Sequence, residues 1–341
     1  MISSAPGSKA PTNYRSVQIG DISLKSPFVL APMAGLTNWP YRYLAQKFGA
    51  SLTFSEMASA IALAHRGKNT LRLLRNIPQS PPIPFGAQLF GKDPKTMGEA
   101  ARIISYEGLS DLIDINFACP AKKVMKSGHG AALLRDPNLA IKIVETVCKC
   151  SKVPVTVKLR PGLYPPHPGT NPIILTLAPS LADAGAKAII LHGRYASQGF
   201  CGEADWHLVA ELSSKLPIPV IGSGDIVTKE GAIYRLKSSG CAAVMLGRAT
   251  RGRPWLFTQA MDLLEGRDPF TPTKELIFDI ASLHARLLEE EIGPRALFLL
   301  RQVLVWYIRD LPGAADYRRR LTQAPDFTQQ RAILEEALGG P

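Results

Sequence analysis

The sequence predicts a closed (β/α)8 barrel followed by a small helical unit, an α/β fold of the TIM-barrel kind. Three observations predict it. Eight short apolar, β-branched runs recur about every 30 residues between Phe28 and Gly247. Helical patterns separate most of them. After Leu264 the alternation stops, and long helical stretches follow a polar linker, Glu265-Gly266-Arg267-Asp268-Pro269-Phe270-Thr271-Pro272.

The elements follow in order. Residues 17–24, centred on Gly20-Asp21, read as a hairpin ahead of the barrel. The eight strand-like runs are 28–33, 52–56, 83–90, 112–116, 153–159, 188–192, 218–222 and 243–247. Helical patterns cover 39–48, 94–106, 137–150, 172–184, 206–215, 229–238 and 255–264. Asp93-Pro94, Asp136-Pro137 and Asn171-Pro172 are helix-start signals, pairing a capping side chain with a proline that needs no amide partner. Alternation of this kind makes βαβ units and a parallel sheet. A doubly wound open sheet is the alternative, disfavoured because no Gly-x-Gly-x-x-Gly opens the first unit. Helical patterns at 274–291, 294–310 and near 327–337 make up the tail. The expected division is a barrel domain over 1–265 and a helical domain over 266–341.

Composition narrows the class. The chain has 341 residues, of which 46% are hydrophobic, enough for a large core. Residues 1–16 are polar and rich in Ser and Pro, unlike a signal peptide, and no apolar run reaches membrane-spanning length. Five cysteines, Cys119, Cys148, Cys150, Cys201 and Cys241, form an odd, sparse set that fits free thiols in a reducing cytoplasm. Cys148 and Cys150 lie on a helix without further metal-binding partners, so no metal site is expected. The formal net charge is +12 and is unevenly placed: residues 1–265 carry 30 basic and 17 acidic side chains, residues 266–341 carry 10 and 11. Bulk charge alone is a weak sign of nucleic-acid binding.

In a barrel, chemistry sits where strands end at the carboxyl face. The run Asp111-Leu112-Ile113-Asp114-Ile115-Asn116-Phe117-Ala118-Cys119-Pro120 leaves an amide and a thiol at such an end. A basic loop with Lys122, Lys123, Lys126 and His129 follows. A thiol there can donate a proton, act as a nucleophile or ligate a metal, and the cations point to a polyanionic partner. The first run ends in Pro32-Met33-Ala34-Gly35, the third carries Gln88, the fifth ends with Lys158 and Arg160, and the sixth with His192 and Arg194. The seventh ends in Gly222-Ser223-Gly224-Asp225 and the eighth in Gly247-Arg248. Backbone amides on these consecutive strand ends suit the phosphate of a cofactor. Lys158 and His192, closing adjacent strands, suit an anionic flavin ring, and Gln88 can bond the same ring.

These residues in this order resemble the tRNA-dihydrouridine synthases, and more closely the bacterial B subfamily. The matching segments are Ala31-Pro32-Met33-Ala34-Gly35-Leu36-Thr37-Asn38, Asn116-Phe117-Ala118-Cys119-Pro120-Ala121-Lys122-Lys123-Val124, Lys158-Leu159-Arg160, His192-Gly193-Arg194, Gly202-Glu203-Ala204-Asp205-Trp206, and the stretch from Leu246-Gly247-Arg248 through Arg251-Gly252-Arg253-Pro254 to Phe257. The likeness covers nearly all of the barrel and extends loosely into the tail. The chain departs from the family at Ala118, where glycine is usual, at Ser223, where asparagine is usual, and at Pro161, which replaces Thr or Ser. A Pro-rich, insert-like loop over 162–169 comes next.

The resemblance implies an enzyme that uses FMN and NADPH to reduce the 5,6 double bond of selected tRNA uridines. Hydride from the flavin adds at C6 and a proton at C5. By position, Pro32, Met33, Ala34, Gln88, Lys158, His192, Ser223, Gly224, Asp225, Gly247 and Arg248 would hold FMN. Cys119 would be the proton donor; a free cysteine, with a pKa of about 8.5, is mostly protonated near neutrality. Asn116, Lys158, Arg160 and His192 would face the uracil, and Lys122, Lys123 and Lys126 would meet tRNA phosphates. Arg248, Arg251 and Arg253 are further candidates, and Arg318-Arg319-Arg320 could clamp the RNA from the tail. A cytoplasmic monomer is expected. The rival readings are a flavin barrel acting on a small molecule, of the dihydroorotate dehydrogenase or ene-reductase kind, and an RNA-binding barrel that has lost its flavin.

Overall fold

A computed structural model describes residues 16–76 and 82–339. The polar leader expected over 1–16 lies, apart from Ser16, outside the described residues. The strands are β1 (Val17–Ile19), β2 (Ile22–Leu24), β3 (Phe28–Leu30), β4 (Thr53–Phe54), β5 (Ala58–Ser59), β6 (Phe85–Phe90), β7 (Leu112–Phe117), β8 (Val155–Leu159), β9 (Ala188–His192), β10 (Val220–Ser223) and β11 (Ala243–Leu246). The expected hairpin is β1 paired antiparallel with β2. The eight expected barrel strands run in the order β3-β11-β10-β9-β8-β7-β6-β4, all parallel. Ser51 N–H donates to Phe28 O at 3.0 Å and Leu30 N–H to Leu52 O at 2.9 Å, which joins the two ends of the sheet. β5 was not expected; it adds a short pairing to the end of β6.

Period-two alternation divides each strand between two cores. Ile113, Ile115 and Phe117 of β7 pack outward against the helices. Leu112 points inward, where it joins Val29, Phe54, Ile190, Ile221 and Met245. Val17, Ile19 and Leu24 of the hairpin belong to this same inner cluster, and Pro154, at the foot of β8, lies against Gly20. The hairpin therefore plugs the amino-terminal end of the barrel with apolar side chains. Polar inward residues occur only further up the strands, towards the carboxyl end.

The start signals act as expected at two helices. Asp93 accepts from Thr96 N–H at the head of Pro94–Tyr106, and Asp136 accepts from Leu139 N–H at the head of Pro137–Cys150. Asn171-Pro172 is not used in this way: the helix begins at Ile174, whose N–H returns to Pro161 O at 3.2 Å, so the preceding loop sets its start. Helices Ala60–Ala64, Lys68–Leu73 and Ala314–Gln323 were not anticipated. The first two are too short to show a period, and the third buries only Ala314 and Leu321. The tail helices Lys274–Ile292, Ala296–Tyr307 and Phe327–Leu338 match the expected stretches closely. Their core continues into the outer core of the barrel through helix Trp39–Lys47. At this seam the Tyr41 and Thr250 hydroxyls lie 2.7 Å apart, and His284 Nδ1 is 2.9 Å from the Tyr307 hydroxyl. Among the described residues no helix is long and apolar enough to cross a membrane.

Candidate active site at the carboxyl ends of the strands

The inward positions of β6, β7 and β8 carry a connected polar column. Asp114 is fully buried, and its carboxylate accepts from Thr156 Oγ1 and from Gln88 Nε2, both at 2.7 Å. Because that amide nitrogen is committed, Gln88 turns its oxygen to Asn116 Nδ2 at 2.9 Å. Asn116 Oδ1 then accepts the N–H groups of Ala118 (3.1 Å) and Cys119 (3.0 Å). A buried carboxylate thus fixes, through two amides, the backbone that presents the Cys119 thiol. Burial pushes the Asp114 pKa up, opposed by the bonds from Gln88 and Thr156 and by the charge of Lys158.

Lys158 stands opposite Asn116 in the sheet register. It is only 7% exposed, yet its ammonium makes no hydrogen bond or ion pair among the described residues. Burial pushes its pKa down, against the pull of Asp114. His192 closes β9. Its Nδ1 accepts the Arg194 N–H at 3.2 Å, which assigns the ring proton to Nε2 in the neutral form. Burial first, and then the charges of Lys158, Arg160, Arg194 and Arg248, push its pKa far down, so the ring is neutral at physiological pH. A buried unpaired ammonium beside a neutral imidazole fits an anionic or acceptor-rich ring and does not fit a metal cation. Among the described residues no cluster of His, Cys, Asp or Glu could hold a metal.

The ends of β10 and β11 supply a second set of donors. The N–H groups of Gly224, Asp225 and Arg248 bond to no protein acceptor among the described residues. This is the pattern expected of an anion cradle, and it fits the phosphate of FMN. Gly224 adopts φ +122, and a Cβ there would lie 2.6 Å from that of Ala204, so this turn tolerates little but glycine. Ser223 uses its hydroxyl on Met245 O at 3.4 Å. The Asp225 carboxylate pairs with Arg194 (2.6 Å) and accepts the Ala204 N–H (2.8 Å), stitching the loops after β9 and β10 together. Across the mouth, Pro32 and Met33 are half-buried and Ala34 is exposed. Met33 lies beside Gly247, and Glu56 Oε2 holds the Gly35 N–H at 2.6 Å.

Arg160 is a clamp. It donates from Nε to Ala118 O (2.8 Å) and from its terminal nitrogens to the carbonyls of Arg194, Tyr195 and Gly199. It therefore ties the cysteine loop to the loop after β9, and burial pushes its pKa down to about 10. Lys122, Lys123 and Lys126 are exposed on the single helical turn Lys122–Lys126, so the expected basic loop is partly helical. Arg248 is exposed with its guanidinium 4.3 Å from the centre of the Phe200 ring. The Arg318-Arg319-Arg320 cluster is less available than its sequence implies: Arg319 pairs with Asp316 and Arg320 with Glu336. Arg253 pairs with Asp310 at 2.6 Å. Asp114, Thr156, Glu56 and Arg194 are site residues that the sequence reading did not single out for these tasks. For Asp114 and Thr156 a signal existed, since each lies two positions before a predicted site residue and so shares its face.

A family model described as dihydrouridine synthase matches residues 29–339. The chain is 34% identical over 322 residues to a tRNA-dihydrouridine synthase B of Xanthomonas axonopodis pv. citri, covering 94% of this chain and 95% of that protein. It is 35% identical over 331 residues to a probable tRNA-dihydrouridine synthase 1 of Synechocystis, covering 95% and 90%. Among solved structures, an old yellow enzyme homologue from Zymomonas mobilis aligns with a TM-score of 0.54 at 16% identity, over 78% of this chain and 96% of that one. At that identity the likeness concerns the fold.

Proposed function

We infer the activity from one premise, that the chain belongs to the dihydrouridine synthase family. We propose that it reduces the 5,6 double bond of a tRNA uridine, with FMN as cofactor and NADPH as electron source. Bound at this mouth and reduced by NADPH, FMN would supply the hydride that uracil C6 takes up. The observation that carries the reading is Lys158: a buried ammonium with no partner among the described residues, between the Asn116 column and His192.

Lys158 and His192 would line the ring side, the N–H groups of Gly224, Asp225 and Arg248 would hold the phosphate, and Pro32, Met33 and Ala34 would flank the cofactor, whereas Gln88, expected to bond the ring, is engaged with Asp114 and Asn116. The target uridine leaves the tRNA stack to reach this face. Cys119 passes its thiol proton to uracil C5 as charge builds on the ring carbonyl. The Lys158 ammonium and the His192 Nε2–H offset that charge. Asn116 faces the base edge while holding the Cys119 backbone, and Arg160 acts by fixing the loops around it. Lys122, Lys123 and Lys126 meet RNA phosphates. In this reading residues 1–265 carry the flavin and the chemistry, residues 266–341 dock RNA, and the protein works as a cytoplasmic monomer.

The test is a reaction of flavin-loaded protein, NADPH and an unmodified tRNA transcript, read by the gain of two hydrogens at one uridine. Wild-type protein gives that product. Cys119→Ala keeps its flavin spectrum and its NADPH oxidation but yields almost none. Absence of product from the wild type refutes the activity, and wild-type yield from Cys119→Ala removes the thiol as acid.

A further inference from the structure

Most of the large apolar side chains left exposed among the described residues lie on helices. Two aromatic ones lie instead in loops at the carboxyl mouth: Tyr164, 67% exposed, after β8, and Phe200, 61% exposed, after β9. The two loops are joined by Ala196 N–H to Gly162 O (3.0 Å) and Ser197 N–H to Leu163 O (2.8 Å). The Arg160 guanidinium anchors them further, because it bonds Tyr195 O and Gly199 O in one loop and Ala118 O beside the active thiol. The loop that carries Phe200 is thus held by the same group that bonds Ala118 O next to Cys119, and the Tyr164 loop is tied to it through its backbone. Phe200 carries the Arg248 guanidinium on its ring at 4.3 Å and still remains largely open.

An open aromatic costs hydration unless something covers it, and the surroundings say what fits. Lys122, Lys123, Lys126 and Arg248 are exposed around this rim, whereas Glu203 is the exposed carboxylate of the Phe200 loop. Flat apolar faces set among cations match unstacked nucleobases carried on a phosphate chain.

We propose that Tyr164 and Phe200 form a stacking platform for unpaired bases flanking the target uridine, holding the RNA open while the uridine reaches Cys119. The inference rests on the reading that the substrate is tRNA. It assigns substrate contacts to the Pro-rich loop after β8 and to the loop after β9.

The experiment measures the Kd of flavin-loaded protein for an unmodified tRNA transcript over a range of salt, for wild type, Tyr164→Ala, Phe200→Ala, Tyr164→Phe and Phe200→Tyr. Each alanine variant weakens binding about 5- to 150-fold, and each aromatic replacement returns it to within about twofold of wild type. The slope of log Kd against log salt does not change, because no phosphate contact is lost. Flavin absorbance and NADPH oxidation without RNA stay at wild-type values. The proposal is overturned if the alanine variants bind like wild type, or if the salt slope falls along with affinity. It is also overturned if the KM for NADPH rises while tRNA binding holds, which would make nicotinamide the stacking partner. Wild-type protein that neither binds nor reduces tRNA would instead refute the activity proposed above.

Discussion

His284 gives the sharpest stability prediction. It lies in the seam between barrel and tail, 1% exposed, with Nδ1 on the Tyr307 hydroxyl and Nε2 without a partner. Burial pushes its pKa down to about 3. An unfolded histidine titrates near 6.5. The folded pKa is the lower one, so the stabilising contribution is complete above about pH 6.5 and is lost as pH falls towards about 3, because the unfolded chain binds a proton that the folded chain refuses. At pH 5 the loss relative to pH 7 is about 2 kcal/mol. Urea unfolding followed by tryptophan fluorescence, at pH 5, 6 and 7, measures it in wild type and in His284→Gln. The variant cannot titrate, so the pH 7 to pH 5 drop should be about 2 kcal/mol smaller than in wild type. All other groups titrate in both proteins and cancel. Equal drops would show that His284 is protonated in the fold or reached by water, and the reasoning from its burial would fail.

Asn116→Ala leaves two backbone N–H groups of the cysteine loop without their acceptor. Reduction of tRNA should fall about 100-fold while NADPH oxidation persists, and Asn116→Asp, which keeps the acceptor, should recover part of the loss. Gly252→Ala should detach the tail from the barrel: Gly252 has φ +67, and a Cβ there falls 2.4 Å from the Trp306 backbone. Limited proteolysis should then release the tail from a barrel that still binds flavin; an intact, fully active variant would contradict this. Reversing Lys122, Lys123 and Lys126 to glutamate should weaken tRNA binding and flatten its salt dependence by up to about three phosphate contacts, and unchanged binding would move the RNA elsewhere.

Much of the barrel was legible because period-two runs and Asp-Pro starts report strands and helices directly. The missed helices, the turn Lys122–Lys126 among them, lack an apolar stripe or the length to show one. At the site, residue identity was easier to read than engagement. Arg160 looks like a substrate-facing cation in the sequence, yet its guanidinium donates to backbone carbonyls. The arginine run at 318–320 looks like an RNA clamp, yet Arg319 and Arg320 are held by carboxylates, and Glu336 of that pairing lies in another helix. Which partner a side chain finds depends on contacts remote in sequence, and no local pattern encodes them. Asp114 shows the reverse case: its parity with Asn116 was visible, but a buried carboxylate acquires meaning only once Gln88 and Thr156 arrive from neighbouring strands.

The satisfied and unsatisfied groups divide the mouth into two arcs. On β6 and β7 the polar groups consume one another: Asp114, Gln88 and Asn116 end on the Cys119 backbone. On β8 to β11 they do not: the Lys158 ammonium, the His192 Nε2 and the N–H groups of Gly224, Asp225 and Arg248 have no acceptor among the described residues. Each of these donors can take a new acceptor without giving up one in the protein, so the unpaired arc is the one that gains from a bound cofactor. The self-satisfied arc has no such need; it spends its order on aiming a thiol. A flavin would therefore lie against β8 to β11, and the base would enter above it from the side of Cys119. Lys158, facing Asn116 in the register, is where the two arcs meet. Lys158→Met should accordingly impair both flavin retention and RNA reduction, whereas a loss confined to either one would break this division.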